Sequence, residues 1–407
     1  MPTDMPQTSP LAGHRVVDFS QLIAGPSAGV MLADLGADVI KVERTAGELG
    51  RTVGPETGVP GIFAAYNRGK RALAIDITTP EGREIAMKLI AISDVMIENF
   101  RPGVMDRLGF GYEAVHEINP RLVYTSLSAY NPDGAGRNRP GTDAALQAES
   151  GLMAVTGPED GDPYKVGVQV VDAATGLAIG QAVLAALLQR TTTGVGAHLR
   201  LSLFEVATYV QSAAFAIASR FGQELDRPGN TAGALGAPTD LFAVADGFVM
   251  VVAYFPAQWK SLCTLLNVPE LHDDPRFVTN AARIANKGEL KAALAPLFAQ
   301  KTRAEWAGLL GEAGVISAPV RSHLEIVEDA ELRGFGDFAR VENDLLEPHW
   351  LPSTPYRSNT WTRTASYRPP TLGEDTADLL SELGYSEQET DEMQTRGVIY
   401  APVKEKP

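Results

Sequence analysis

The sequence predicts an α/β protein: a parallel sheet covered by helices on both faces, followed by a smaller unit of mixed α and β type. Three observations predict it. Over the first 220 residues short β-branched runs alternate with helical stretches. A Gly-, Pro- and Asn-rich stretch without period, GQELDRPGNTAGALGAPTD (222–240), then breaks the alternation. Beyond it, LFAVADGFVMVVA (241–253) sets an Asp-Gly turn between two apolar runs, a hairpin signal. At 407 residues the chain also exceeds one ordinary core, so two domains are expected.

In chain order, RVVDF (15–19) is a strand and AGVMLADLG (28–36) a helix. ADVIKVE (37–43) and ALAIDI (72–77) are strands. Residues 80–91 carry a first-turn proline and apolar residues at helical spacing, which predicts a helix. Strand-like runs at 94–100 and 122–130 flank a short helix at 112–118. From Asp172 to about Gln189 runs a long helix of small residues suited to close packing, followed by a strand at 199–204 and a helix at 205–219. The smaller unit adds helical segments at 257–266, 288–299 and 302–313, and a further helix is expected at 375–384.

Composition narrows the function. With 44% apolar and 21% charged residues the chain is globular in type. A single cysteine, Cys263, allows neither an internal disulfide nor a cysteine metal site. The opening MPTDMPQTSPLAG has no basic n-region or apolar h-region, and nowhere do 18 apolar residues run together; cytoplasm, with no membrane partner, is the expectation. A net charge of −15 argues against a nucleic-acid partner, though not against an anionic ligand met by local cations. The six histidines are dispersed, with no pair at ligand spacing, so no metal is expected. GxGxxG, Walker, HExxH and GxSxG patterns are all absent.

Two stretches carry chemistry. VGVQVVDAATG (166–176) places Asp172 after an apolar run, at the start of the long helix. One reading is a helix N-cap. The other is a nucleophile: an ionised carboxylate needs no partner base to attack an acyl carbon. ENFRPGVMDRLGF (98–110) ends a strand in Asn99 and Phe100, with Arg101 and Arg107 flanking a Pro-Gly turn. At a strand's carboxyl end this is where an α/β sheet receives a ligand: Phe100 suits an adenine and the arginines suit phosphates. The alternative is a loop whose Phe fills the core edge and whose arginines pair with local acids.

At these residues the chain resembles the class III CoA-transferase family, which includes formyl-CoA transferase, carnitine CoA-transferase and α-methylacyl-CoA racemase. The similar stretches include 15–43, NRGKRALAIDI (67–77), 94–115, NPRLVYTSLSAY (119–130), RPGTDAALQAESGLM (139–153), 166–176, 229–253 and DDPRFVTNAARIANKGEL (273–290). PPTLGEDT (369–376) and RGVI (396–399) extend the likeness nearly to the end. The resemblance implies a Rossmann-like large domain from residues 1–222 and the returning tail 326–407, a small α+β domain from 223–325, and an interlocked homodimer. It implies CoA transfer between carboxylic acids with Asp172 as covalent nucleophile, passing through an aspartyl anhydride and an aspartyl-CoA thioester. Coenzyme A and its acyl esters are substrates, with no tightly bound cofactor. The implied CoA contacts are Gln21 and Ala24 in the first turn, Arg44 at the phosphates, Ile75 beside adenine, Asn99, Phe100 and Arg107, and Arg139 where the family has a lysine.

Two departures matter. Where formyl-CoA transferase closes a run of glycines over the intermediate, this chain has NTAGALGAP (230–238), with glycines at 233 and 236, so the lid is not carried over. Racemase members carry a histidine before the aspartate of a Gly-His-Asp motif. Here the text is Gly141-Thr142-Asp143, and two-base epimerisation lacks one partner. Racemase or isomerase activity is therefore the second reading, and a CoA-ester binding protein with Asp172 as a mere cap the third.

Overall fold

The computed structural model describes residues 9–54, 60–231, 233, 236–343, 346–363 and 366–402. They form two compact units: Met1–Leu152 with Val166–Ala216 and Gly334–Pro407, and Met153–Lys165 with Ile217–Arg333. The expected breaks are at 222/223 and 325/326, and residues 153–165 join the second unit as well.

The first unit is built on seven strands: β1 (Arg15–Asp18), β2 (Asp38–Glu43), β3 (Arg71–Ile75), β4 (Val95–Glu98), β5 (Val123–Ser128), β6 (Ala197–Ser202) and a chain-terminal strand, Ile399–Tyr400. The terminal strand heads the order, followed by β3-β2-β1-β4-β5-β6. Neighbours from β3 to β6 are parallel, whereas the terminal strand pairs antiparallel to β3, Ile399 opposite Ile75. A mixed α/β architecture on a large parallel sheet is thus what the alternation predicted. Strand β1 is short and almost wholly buried, as a central parallel strand must be.

Helices cover both faces. On one lie α1 (Ala24–Asp34), with α2 (Gly61–Asn67) packed against it, and, further along the chain, Val170–Thr193; α3 (Pro80–Ala91), α4 (Val104–Leu108) and α5 (Tyr112–Ile118) lie on the other. Completing the unit are α6 (Asp143–Glu149), α7 (Val170–Thr193), α8 (Leu203–Tyr209) and α9 (Ser212–Phe221), the last reaching into the second unit. One core joins Leu32, Val95, Ile97, Ile179 and Val183; its counterpart on the opposite face joins Val17, Ile40, Leu89, Met96 and Tyr124. Helix α7, at 24 residues, is long and apolar enough to span a membrane, but Val171, Ile179, Val183 and Leu187 bury one of its faces in the first core.

Three expectations are corrected. Helix α1 begins at Ala24, four residues before the expected start, because a first-turn proline (Pro26) lacks only an N–H that needs no helical acceptor. The expected helix 205–219 is two, α8 and α9, broken where Gln211 turns its amide onto the Ser150 and Ala207 carbonyls. The tail adds a helix at Glu387–Thr395, opened by a Ser386/Glu389 capping box.

The second unit carries a three-stranded antiparallel sheet of β7 (Thr239–Val244), β8 (Gly247–Val252) and β9 (Ile316–Pro319). Its hairpin turns at the Asp-Gly pair, and Phe242, Trp259, Leu294 and Phe298 fill its core.

The packing of α1 on α7 positions the site. Gly176 leaves no room for a side chain: a Cβ there would lie 1.9 Å from Ser27 Oγ and 3.1 Å from the Ala24 carbonyl oxygen. One turn on, a Cβ at Gly180 would overlap Met31. Gly176→Val should destabilise the protein by about 1–3 kcal/mol through overpacking, seen as a lowered urea midpoint at constant m-value.

Candidate active site

The first wall is the turn after β1. Asp18, fully buried, ends the strand and accepts from the Ser20 amide at 2.9 Å. Its other oxygen meets Lys70 Nζ at 2.8 Å; that ammonium also donates to the Pro26 carbonyl and to Asn67 Oδ1, both at 2.9 Å. Burial raises the Asp18 pKa, but Lys70 and Lys41 outweigh it, and the carboxyl stays below its ordinary value. Lys41 donates to the Ser20 carbonyl. The turn itself is strained: Leu22 has φ 67, a conformation costly for a branched residue, and its amide reaches Glu48 Oε2 at 3.2 Å.

The second wall comes from the end of β4. Asn99 Oδ1 accepts from the Gln21 amide at 2.8 Å, while its Nδ2 donates to the Gln21 carbonyl at 2.9 Å. This reciprocal pair imitates a strand contact and ties the two strand-end loops together.

The third is the head of α7. Asp143, on α6, accepts through Oδ2 from the Val171 amide at 2.8 Å and the Asp172 amide at 3.1 Å; Oδ1 accepts from Gln147 Nε2 at 2.6 Å. Asp143 therefore supplies the capping carboxylate, and the N-cap position, Gln169, makes no side-chain bond. The N-cap reading of Asp172 is overturned. Asp172 sits in the first turn, and among the described residues its carboxyl accepts no hydrogen bond. Burial, then the nearby Asp143, push it up to about 7. Burial and the Asp172 charge likewise raise the Tyr66 phenol.

These walls enclose a cavity of about 580 Å³, lined by six of the nine sequence-predicted residues: Gln21, Ala24, Asn99, Phe100, Arg139 and Asp172. Arg44 and Ile75 lie in a neighbouring cavity of about 430 Å³, which also includes Gln21 and Phe100. Arg107 lines neither; it lies on the exposed side of α4. Arg139 is engaged already, in two bonds of 2.6 and 2.8 Å to Glu149, with its guanidinium 4.6 Å from the Tyr130 ring centre. Arg101 and Arg137, also in the wall, form no ion pair among the described residues. In the 230–238 stretch, residues 232, 234 and 235 lie outside the described residues.

Sequence reasoning missed Asp143 as a site residue, noting it only for the histidine absent before it. A carboxylate 29 positions from Asp172 gives no local signal; only the fold sets it at the head of α7. The chemistry available is that of an ionisable, half-buried carboxyl, accepting no hydrogen bond among the described residues, in an open pocket beside two guanidinium groups that form no ion pair there.

Comparison with known proteins identifies the family. Residues 11–376 match the model of CoA-transferase family III. The chain is 36% identical over 403 residues to the succinyl-CoA:glutarate CoA-transferase of Mus musculus, covering 98% of this chain and 92% of the relative. It is 37% identical over 326 residues to the acetyl-CoA:oxalate CoA-transferase of Acetobacter aceti, covering 79% and 83%. A crystal structure of a CAIB/BAIF family protein from Brucella suis superposes with a TM-score of 0.85 at 35% identity, covering 93% of this chain and 100% of that one. Fold, family model and relatives agree: the chain is an enzyme belonging to the family III CoA-transferases.

Proposed function

We propose that the protein moves CoA from an acyl-CoA donor to a free carboxylic acid, with Asp172 as covalent nucleophile. The observation that carries this is a half-buried carboxyl, accepting no hydrogen bond among the described residues, in a cavity walled by Gln21, Ala24, Asn99 and Phe100. Ionised Asp172 attacks the thioester carbonyl and expels CoA thiolate, leaving an aspartyl anhydride. The thiolate attacks the Asp172 carbonyl and expels the donor acid, leaving an aspartyl-CoA thioester. The acceptor carboxylate then displaces the thiolate to form its own aspartyl anhydride. Thiolate attack on the acceptor carbonyl releases the new CoA ester and regenerates Asp172. No step consumes water, and the burial of Asp172 protects both anhydrides.

Gln21 and Ala24 lie at the thioester end of CoA, Asn99, Phe100 and Ile75 beside its adenine, and Arg44 and Arg139 serve its phosphates, while Arg107, which lines neither cavity, is left out. Arg101 and Arg137 favour an acceptor with a second carboxylate, the kind of acid named for the glutarate and oxalate relatives. The functional unit is a homodimer. Exposed apolar side chains on α7–α9, among them Leu188 at 72% and Tyr209 at 80%, support a covered face there.

Asp172→Ala should abolish formation of any new CoA ester while CoA still binds. Mass spectrometry of pooled acyl-CoAs and acids in D₂O checks this: continued transfer by the variant would exclude the nucleophile, and α-deuteration of an unchanged ester would mark an isomerase. Because the carboxyl titrates near 7, transfer should fall as pH drops through that value.

The raised pKa has a thermodynamic counterpart. Between about pH 4 and 7 the native state holds a proton that the unfolded chain has released, so this group's contribution to stability falls as pH rises across that window. Asp172→Asn should therefore raise Tm by a few degrees at pH 8, with the gain shrinking toward pH 4 in calorimetry. Sedimentation velocity should give a particle of two chains; a monomer at micromolar concentration would sink the dimer.

A further inference from the structure

Behind the Phe100 loop, on the side away from Asp172, lies a smaller cavity of about 260 Å³. It shares Phe100, Arg101, Pro102, Leu127 and Ser128 with the Asp172 cavity, so two short stretches of chain, 100–102 and 127–128, line both. Its floor is a row of three side chains from adjacent strands: Glu98 of β4, Ser126 of β5 and His198 of β6. Glu98 pairs in register with Ser126, and Ser126 Oγ lies 3.1 Å from His198 Nε2. Tyr112 stacks on the imidazole at 4.5 Å and Tyr124 meets it edge-on at 5.1 Å, fixing its orientation. Glu98 is only 7% exposed, and its Oε2 accepts from the Phe100 amide at 2.9 Å. None of the three has a part in the mechanism above.

We propose that Glu98 is a positioning residue for coenzyme A: held between the Phe100 amide and the Ser126–His198 pair, its carboxyl sets Asn99 and Phe100 against the cofactor. This rests on the reading that the larger cavity takes CoA. Glu98 accepts from the backbone amide next to Asn99, whose side chain clasps Gln21, and its strand pairs with β5 at Ser126.

The hold depends on the proton. Ionised Glu98 accepts from the Phe100 amide at 2.9 Å, beside the Ser126–His198 pair. Once protonated, the carboxyl becomes a donor as well, and its grip on the amide weakens. Burial pushes the group up to about 7, against the opposing hydrogen bonds from Phe100 and Ser126, and Asp106 of α4 adds a smaller upward push. The other ionisable groups lining this cavity are Arg101, Tyr112 and Glu113 of α5, Tyr124, His198 and Arg200, the last paired with Asp133 at 2.9 Å. Burial, then Arg200, keep His198 below its ordinary pKa, which favours the neutral imidazole.

The test is calorimetric titration of CoA into the full-length Asp172→Asn protein between pH 6 and 8.5, which removes the nucleophile's own titration. Glu98→Gln keeps an acceptor for the Phe100 amide but cannot ionise. It should bind near the parent's pH 8 affinity and show only the shallow dependence of the CoA phosphates, while the parent weakens several-fold more between pH 8 and 6. Glu98→Ala should bind about tenfold more weakly even at pH 8, the loss of one charge-assisted hydrogen bond. The proposal is overturned if Glu98→Gln keeps the parent's pH profile, or if a folded Glu98→Ala keeps the parent's affinity. Should Glu98→Ala fail to fold, the Gln variant decides alone. A parent that binds no CoA would overturn the cavity assignment and this proposal together, whereas transfer surviving Asp172→Ala would overturn only the nucleophile.

Discussion

Helix α7 opens with backbone N–H groups that have no carbonyl in their own helix to meet, and two of them converge on one oxygen of Asp143. That contact sets where the helix starts and hence where Asp172, in its first turn, points. It also fixes an anion beside Asp172, and the same charge that stabilises the helix end raises the cost of ionising its neighbour. Asp143 therefore sets the placement of Asp172 and, after burial, contributes to the upward shift of its carboxyl. Gln147 holds Asp143 in turn, and the Val166 amide holds Gln147, so the arrangement is braced outward from α6.

The opposite wall is built on a comparable device. Asp18 and Lys70, buried together, contribute little net stability as an ion pair, since desolvation offsets much of their attraction. What the pair does is geometric: Lys70 reaches β1, the first turn of α1 and the end of α2 in one set of bonds. A turn containing a left-handed Leu22 persists because its surroundings leave it no alternative.

Much of the fold was legible in the sequence because parallel strands and their covering helices have local signatures: β-branched runs, first-turn prolines, small-residue helices. Boundaries were less so. Gly25-Pro26 looks like a turn yet lies inside α1, and the break between α8 and α9 depends on Gln211 finding Ser150, 61 residues away. The Ser386/Glu389 capping box is a local signal for the helix that follows it. At the site, Asp172 and the Asn99-Phe100 pair were reached through motif and resemblance, whereas Asp143, Glu98 and His198 matter only through neighbours the chain brings together from far away. Arg107 shows the converse, a motif residue that the fold leaves on an exposed helix face.

The glycines of α7 divide the cavity into two halves with different histories open to them. Gly176 and Gly180 lock α7 against α1, so Asp172 and the Ala24 turn form a rigid half in which almost any enlargement meets an atom. The facing half, around Arg137–Pro140, is loop with mostly exposed side chains. Apart from Arg139, which is tied to Glu149, side chains there can change without disturbing the α1–α7 packing that holds the nucleophile. A scaffold divided this way can drift from one acid to another while its chemistry stays put, and selectivity becomes the trait that varies fastest.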